Sequence, residues 1–431
     1  MKNNLYIFDE KGVASDYGIG KYIQSVISVC ADASISITVV SLEVEGKLNC
    51  YISKEGTQYM DIPLLRKSSG DLLNLDEKED RKIYAQYVVS VLQLYIPLFG
   101  GVVFHLNYTQ DYYLAKSLKE MWPESRVVLT VHYFAWSLAL SGNICRLMHI
   151  ISKREADLSE NEKAVIYSGL FEQRLFKQVD FIICLSCFSK QILSDYYDIP
   201  ENKLWLIPNG IKDEYQKIDR KQLRAKYGIP DDEKMLLFVG RLDKKKGLAF
   251  LIDAFKRLIS EGNSNSHLYI IGGGDFNVYL SLCYPYWNRV TFCGRILPEH
   301  VSEFYQMSDI GILPSLTEQC SFVVLEMMMN RLPIIGTDSS GLDEMIIEGG
   351  NGYKVHLQEE EDRIDFPVEE LAAYMKYLLQ LQSLEKYGEQ SRDLYLRYYT
   401  YKCMQDRLCL LYRLCLQGKE VSCLQSPFRL L

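Results

Sequence analysis

Thr317-Glu318-Gln319-Cys320-Ser321-Phe322-Val323-Val324-Leu325-Glu326 is the stretch on which the reading of the whole chain turns. Glu318 and Glu326 are two carboxylates eight residues apart. Glu326 sits in an apolar run, with Val323, Val324 and Leu325 before it and Met327, Met328 and Met329 after it. A helix apolar on every side is a buried helix, and a carboxylate on it is costly unless something donates to it. Residues 309–314 have strand composition and 315–321 form a short turn. The order is strand, loop, helix, with Glu318 in the loop, Ser321 as the expected N-cap and Glu326 just inside the helix. In open parallel α/β sheets, ligands bind beyond the carboxyl ends of the strands, and N–H groups at a helix start attract phosphate. An anion held at Cys320, Ser321 and Phe322 would have a carboxylate on each side. That suits a phosphorylated, hydroxyl-rich ligand. The plain alternative is a core helix with one awkward glutamate.

On both sides of this stretch, β-branched segments alternate with amphipathic ones, which predicts doubly wound parallel sheets. In the first half the expected strands include 5–8, 35–44, 47–53, 101–106, 126–132, 181–185 and 203–207. In the second half they include 235–239, 267–271, 290–292, 310–313, 333–337 and 353–357. Pro208-Asn209-Gly210 is a turn signal, and the domain boundary is expected near residue 212. This gives a first domain of residues 1–212 and a second of 213–397. The acidic stretch 358–365 reads as a solvated loop, and residues beyond Gly418 carry no clear pattern.

The chain has 431 residues, 48% hydrophobic and 24% charged, as in ordinary globular proteins. A net charge of -8 argues against nucleic acid as the main partner. The amino terminus has no long apolar run and no segment approaches a membrane span, so a cytoplasmic protein is expected. In that compartment the twelve cysteines would be thiols. Cys184 and Cys187 form a lone C-x-x-C without the second pair a zinc site needs, so no metal is expected.

Several loops carry chemistry. Gly240-Arg241-Leu242-Asp243-Lys244-Lys245-Lys246-Gly247 follows a strand and precedes a helix. Arg241 and Lys246 can turn toward one anion, one as a planar fork and the other as a point charge. Gly272-Gly273-Gly274 is a glycine turn after a strand, too loose for a dinucleotide fingerprint. Cys293-Gly294-Arg295-Ile296 ends another strand. His132 ends a buried strand at its carboxyl edge, and Gly18-Ile19-Gly20 opens the first helix.

Taken together, E-x7-E from Glu318 to Glu326, Pro333-Ile334-Ile335, Ser340-Gly341-Leu342-Asp343-Glu344 and the Arg241–Lys246 loop resemble retaining glycosyltransferases of the family 4 type (glycosyl transferases group 1). The resemblance implies an α/β GT-B fold: two Rossmann-like domains facing a cleft, the first binding the acceptor and the second the nucleotide sugar. A C-terminal helix in 398–431 would cross back onto the first domain. It implies that Arg241 and Lys246 stabilise the leaving diphosphate in place of a metal, with Gly240, Gly273, Cys320, Ser321 and Phe322 nearby. Glu326 would hold the ribose, Glu318 the sugar hydroxyls, and Arg295 and Ile296 the edge of the base. His132 would orient the sugar, and Gly18 and Gly20 would lie near phosphate and acceptor. The implied co-substrate is a UDP- or GDP-sugar, with no other cofactor. The implied acceptor is a glycan or lipid-linked glycan, and a lipid-linked acceptor would bring peripheral contact with the inner membrane. The helix at 111–122, with Lys116 and Lys119, is a candidate for that contact, and a plain surface helix is the other reading. Ser321 departs from the family's glycine and Lys212 from its aspartate. The competing readings are a sugar-nucleotide epimerase or hydrolase on the same fold, and a non-catalytic sugar- or nucleotide-binding protein.

Overall fold

The computed structural model describes residues 3–10, 18–31, 35–96 and 101–417. The chain divides into two compact units. The first comprises Met1–Ala135, Ser159–Asn209 and Tyr401–Leu431, and the second Trp136–Leu158 and Gly210–Thr400. The chain thus leaves the first unit at Asn209 rather than near 212, and residues 136–158, which the sequence reading placed in the first domain, are counted with the second.

The first unit is built on eight strands: β1 (Asn3–Glu10), β2 (Ile35–Val44), β3 (Asn49–Ile52), β4 (Gln58–Pro63), β5 (Val102–Leu106), β6 (Arg126–Val131), β7 (Phe181–Cys184) and β8 (Leu204–Leu206). Their order is β3-β4-β2-β1-β5-β6-β7-β8. All neighbours run parallel except the antiparallel pair β3–β4 at the edge. The central strand β5 is buried along its whole length, as a parallel strand covered on both faces must be. β4 was not expected from the sequence. Its residues Gln58-Tyr59-Met60-Asp61-Ile62-Pro63 bury only Met60 and Ile62, so the apolar signal is thin.

The C-terminal helix Tyr401–Gln417 packs on this sheet and on the helix Gly18–Cys30. It buries Leu408, Leu411 and Tyr412 completely. The Tyr412 hydroxyl lies 2.7 Å from Nδ1 of His105, whose Nε2 lies 2.7 Å from the Thr130 hydroxyl. On the helix Tyr112–Met121, Lys119 bonds both carboxylate oxygens of Asp180 at 3.0 Å and Lys116 lies 3.8 Å from Glu120. Both lysines considered for membrane contact thus have a carboxylate neighbour within the chain, and Lys116 stays exposed. Among the described residues no helix is long and apolar enough to cross a membrane.

The second unit is a six-stranded parallel sheet: β9 (Lys234–Val239), β10 (Ser266–Ile271), β11 (Val290–Gly294), β12 (Ile310–Ile312), β13 (Ile334–Thr337) and β14 (Gly352–Val355). The order β11-β10-β9-β12-β13-β14 reverses direction between β9 and β12. In a doubly wound sheet that reversal opens a crevice at the carboxyl ends of those two strands. Residues 358–365 are not the expected loop. They form a hairpin, β15 (Gln358–Glu359) and β16 (Ile364–Asp365). The Glu359 carboxylate accepts from the N–H groups of Ile144 (2.7 Å) and Cys145 (3.2 Å) at the start of the helix Ile144–Ser152. Asn143 donates to the carbonyls of Glu360 and Arg363, each at 2.8 Å. The acidic charge is used at the positive end of a helix, which local composition could not reveal.

Candidate active site

Two loops meet at the reversal point of the second sheet. The loop after β9 runs from Gly240 to Gly247, and the loop after β12 leads to the helix Phe322–Met329. They are joined through the backbone by Leu316 N–H donating to Lys245 O at 2.8 Å. Gly247 is required at this contact. It has φ +69°, and a Cβ there would stand 1.9 Å from the Pro314 carbonyl oxygen. Asp243 caps the turn before it by accepting from the N–H groups of Lys245 (3.0 Å) and Lys246 (3.2 Å).

Lys246 and Glu318 are brought together. The Lys246 ammonium donates to Oε1 of Glu318, and both side chains are largely buried. The Ser315 hydroxyl donates to the same oxygen at 3.0 Å. The backbone of Glu318 is clamped by the Ser340-Gly341 pair: its N–H donates to Ser340 Oγ (3.2 Å) and its carbonyl accepts from Gly341 N–H (2.8 Å). Ser340 holds φ +44°, a costly conformation for a non-glycine residue, in making this clamp. Thr317 is fixed on two sides, by Ser340 Oγ at 3.2 Å and by Ser137 Oγ at 2.8 Å. The segment around Ser137 is therefore part of the site's support, and nothing in its sequence signalled that.

Arg241 lies on the same loop as Lys246. Its guanidinium pairs with Asp243 at 3.2 Å and is partly exposed. Ser321 holds the N-cap position of the helix with extended backbone, but its hydroxyl makes no capping bond. Cys320 and Ser321 are buried and Phe322 is half-buried. Glu326 is half-buried and accepts from the Tyr305 hydroxyl at 2.8 Å, which satisfies the carboxylate that the apolar helix made conspicuous. Burial, then the adjacent carboxylate, hold the Tyr305 phenol well above its ordinary range, so it stays a donor.

The glycine turn has a packing role. Gly240 N–H donates to Ile271 O, Leu242 N–H to Gly273 O and Gly272 N–H to Gly294 O, all at 2.9 Å. A Cβ on Gly272 would stand 1.7 Å from Gly240 O, and one on Gly273 would stand 2.4 Å from Nε of Arg295. The three loops after β9, β10 and β11 are thus stacked backbone against backbone, with Arg295 lying over Gly273. Ile296 is half-buried beside it.

In the first unit, His132 follows β6. Asn107 donates through Nδ2 to the Phe8 carbonyl at 3.0 Å, which turns its Oδ1 toward His132 Nε2 at 3.1 Å. Burial, then His105, hold His132 down to about 3, so it is neutral near pH 7. With its proton on Nε2, Nδ1 is an acceptor. Tyr22 packs edge-on against the ring at 4.7 Å. Gly18 and Gly20 lie in the first turn of the helix Gly18–Cys30, and a Cβ on Gly18 would meet open space. Among the described residues no group of three or more His, Cys, Asp or Glu is placed to hold a metal.

Residues 219–393 match the family model described as glycosyl transferases group 1. The matched segment lies within the second unit, begins at the N-cap Asp219 of the helix Arg220–Tyr227 and contains Lys246, Glu318 and Glu326. The chain is similar to an uncharacterized glycosyltransferase of Methanocaldococcus jannaschii, 29% identical over 248 residues, 52% of this chain and 62% of that protein. The chain spans about half the length of the curated relatives it matches. Its fold is similar to sucrose-phosphate synthase from Thermosynechococcus elongatus, with TM-score 0.73 and 16% identity over 97% of this chain and 100% of that one. It is also similar to HepE of Anabaena in complex with UDP-glucose, with TM-score 0.65 and 14% identity over 95% and 99% of the two chains. The fold is GT-B.

Proposed function

We propose that the protein is a retaining glycosyltransferase of the family 4 type that takes sugar from a UDP- or GDP-sugar. The acceptor is a hydroxyl of a glycan or lipid-linked glycan, in surface polysaccharide or glycoconjugate synthesis. The observation that carries the reading is the Lys246–Glu318 pair, set on adjacent loops where the strand order of the second sheet reverses. A lysine and a glutamate held together there can each exchange partner when a sugar diphosphate arrives. Lys246 then meets phosphate, a stronger charge-assisted contact, and Glu318 accepts from sugar hydroxyls. Arg241 adds a second cation as charge builds on the leaving diphosphate, where a divalent ion would otherwise serve. Glu326, already accepting one hydroxyl from Tyr305, accepts the ribose hydroxyls through its other lone pairs. In this reading the bond from the anomeric carbon to the diphosphate oxygen breaks, and the bond to the acceptor oxygen forms on the same face. The acceptor proton passes to the leaving phosphate oxygen.

The test is incubation with a panel of UDP- and GDP-sugars and candidate acceptors, read by product mass and anomeric configuration. Lys246→Ala and Glu318→Ala are each expected to lower turnover by roughly 100-fold or more, the scale of one lost transition-state contact. Both variants should keep a cooperative melt, and chelation of divalent ions should leave the rate unchanged. Near-normal transfer by either variant, or sugar release that needs no acceptor, would remove the assignment.

A further inference from the structure

The first unit has its own reversal of strand order, between β1 and β5. A cavity of about 180 Å³ opens there, beyond the carboxyl ends of β1, β2 and β5. Its charged lining is one-sided: Glu10, Glu43, Asp76 and Asp111 surround it, and Arg81 is the only cation among the described lining residues. Arg81 directs its N–H groups at carbonyls, Nε to Leu75 O at 2.6 Å and Nη1 to Gln110 O at 3.2 Å. Glu10 accepts from the Gln110 amide at 2.6 Å.

Asp111 is the unusual member. It stands at the N-cap position of the helix Tyr112–Met121, where an aspartate ordinarily accepts from the first-turn N–H groups, yet its carboxylate makes no such bond. The residue is only 8% exposed, and its Oδ2 is buried with no hydrogen-bond partner. A buried acceptor left unmatched is a standing cost that calls for a reason. Burial, opposed by Arg81 and helped by Glu43, pushes Asp111 up to about 7. Burial, then Asp111 and Glu43, hold Glu10 well above the usual carboxylate range.

We propose that this pocket binds a small organic ammonium on a hydroxylated frame, such as an amino sugar, with the ammonium against Asp111 and Glu10. Three donors on one positive nitrogen suit an orphan carboxylate oxygen beside further carboxylates. The cavity is smaller than the roughly 300–1,000 Å³ of drug-sized sites, which limits the occupant to about one ring. The proposal concerns binding alone and stands whether or not the chain transfers sugar.

The test is calorimetric titration of the full chain with glucosamine, glucose and N-acetylglucosamine, which differ at one substituent. Glucosamine is expected to bind roughly tenfold or more tightly than the other two, and Asp111→Asn and Glu10→Gln to weaken it by a similar factor. Glu55→Gln, in an exposed turn, is the control and should bind as wild type does. Equal or undetectable binding of all three sugars by the wild-type chain, which depends on no variant's folding, would overturn the proposal. So would unchanged glucosamine affinity in a folded Asp111→Asn variant.

Discussion

At the scale of single residues, the informative ones are polar groups in apolar surroundings. Glu326 stood out in the sequence because its neighbours are all apolar, and Tyr305 is the donor that makes it tolerable. His132 stood out by position, but its neutral state comes from burial and from His105, which the sequence did not single out. Both histidines are held down to about 3, chiefly by burial. A folded value below the unfolded value of about 6.5 means that the unfolded chain takes up protons first. The stability from these histidines is therefore complete above about pH 6.5 and lost as pH falls toward 3, by up to about 1.4 kcal/mol per pH unit for each. Glu172 and Asp111, both pushed up to about 7 by burial first, act with the opposite sign, favouring the fold at low pH and losing that effect as pH rises through 7. The comparison that isolates the histidine is therefore with a variant. Melting temperature from pH 7.5 to 5 should fall less steeply for His105→Gln than for wild type; parallel curves would show that His105 titrates normally.

At the scale of elements, strands and helices were legible wherever the apolar period was strong. The helices Leu248–Ser260 and Pro298–Met307 carry such a period, burying apolar residues along one face. The strand β4 and the hairpin β15–β16 were not legible, because such short strands bury little. What holds the helix Arg220–Tyr227 to the second sheet is also illegible locally. Arg224 is 1% exposed and donates to the carbonyls of Met307, Pro230, Asp231 and Glu233 and to Asp309. Asp309 also accepts from Met235 N–H at 2.7 Å and from Arg220 at 2.7 Å. Removing one partner leaves a buried charge and several carbonyls unmatched, so Arg224→Ala is expected to cost about 3–5 kcal/mol. Chemical denaturation checks this, and a loss under about 1 kcal/mol would mean that water or a neighbour substitutes.

At the scale of the molecule, each unit is a doubly wound sheet with a reversal in strand order, and chemistry-bearing side chains gather at both reversals. The first unit is completed by the last described helix. Leu408 and Leu411 are fully buried, and Gln405 donates to the Val29 carbonyl at 2.6 Å. Leu411→Ala should therefore destabilise the unit by about 2–5 kcal/mol, as a cavity-forming core truncation does. Protease sensitivity of the first unit measures it, and wild-type resistance would show that the helix is dispensable.

The order of amino acids by itself determined the alternation of strand and helix, the two-sheet architecture and the glycine, lysine and glutamate loops of the second half. Periodicity, turn chemistry and N-cap preference act over a few residues, so a linear reading can reach them. Only the tertiary structure decided that Lys246 is tied to Glu318, 72 positions away. Only it showed that residues 136–158 support Thr317, and that Asp111 leaves its helix uncapped to line an acidic cavity. Those outcomes depend on which loops the strand order brings side by side, and no local interaction encodes that.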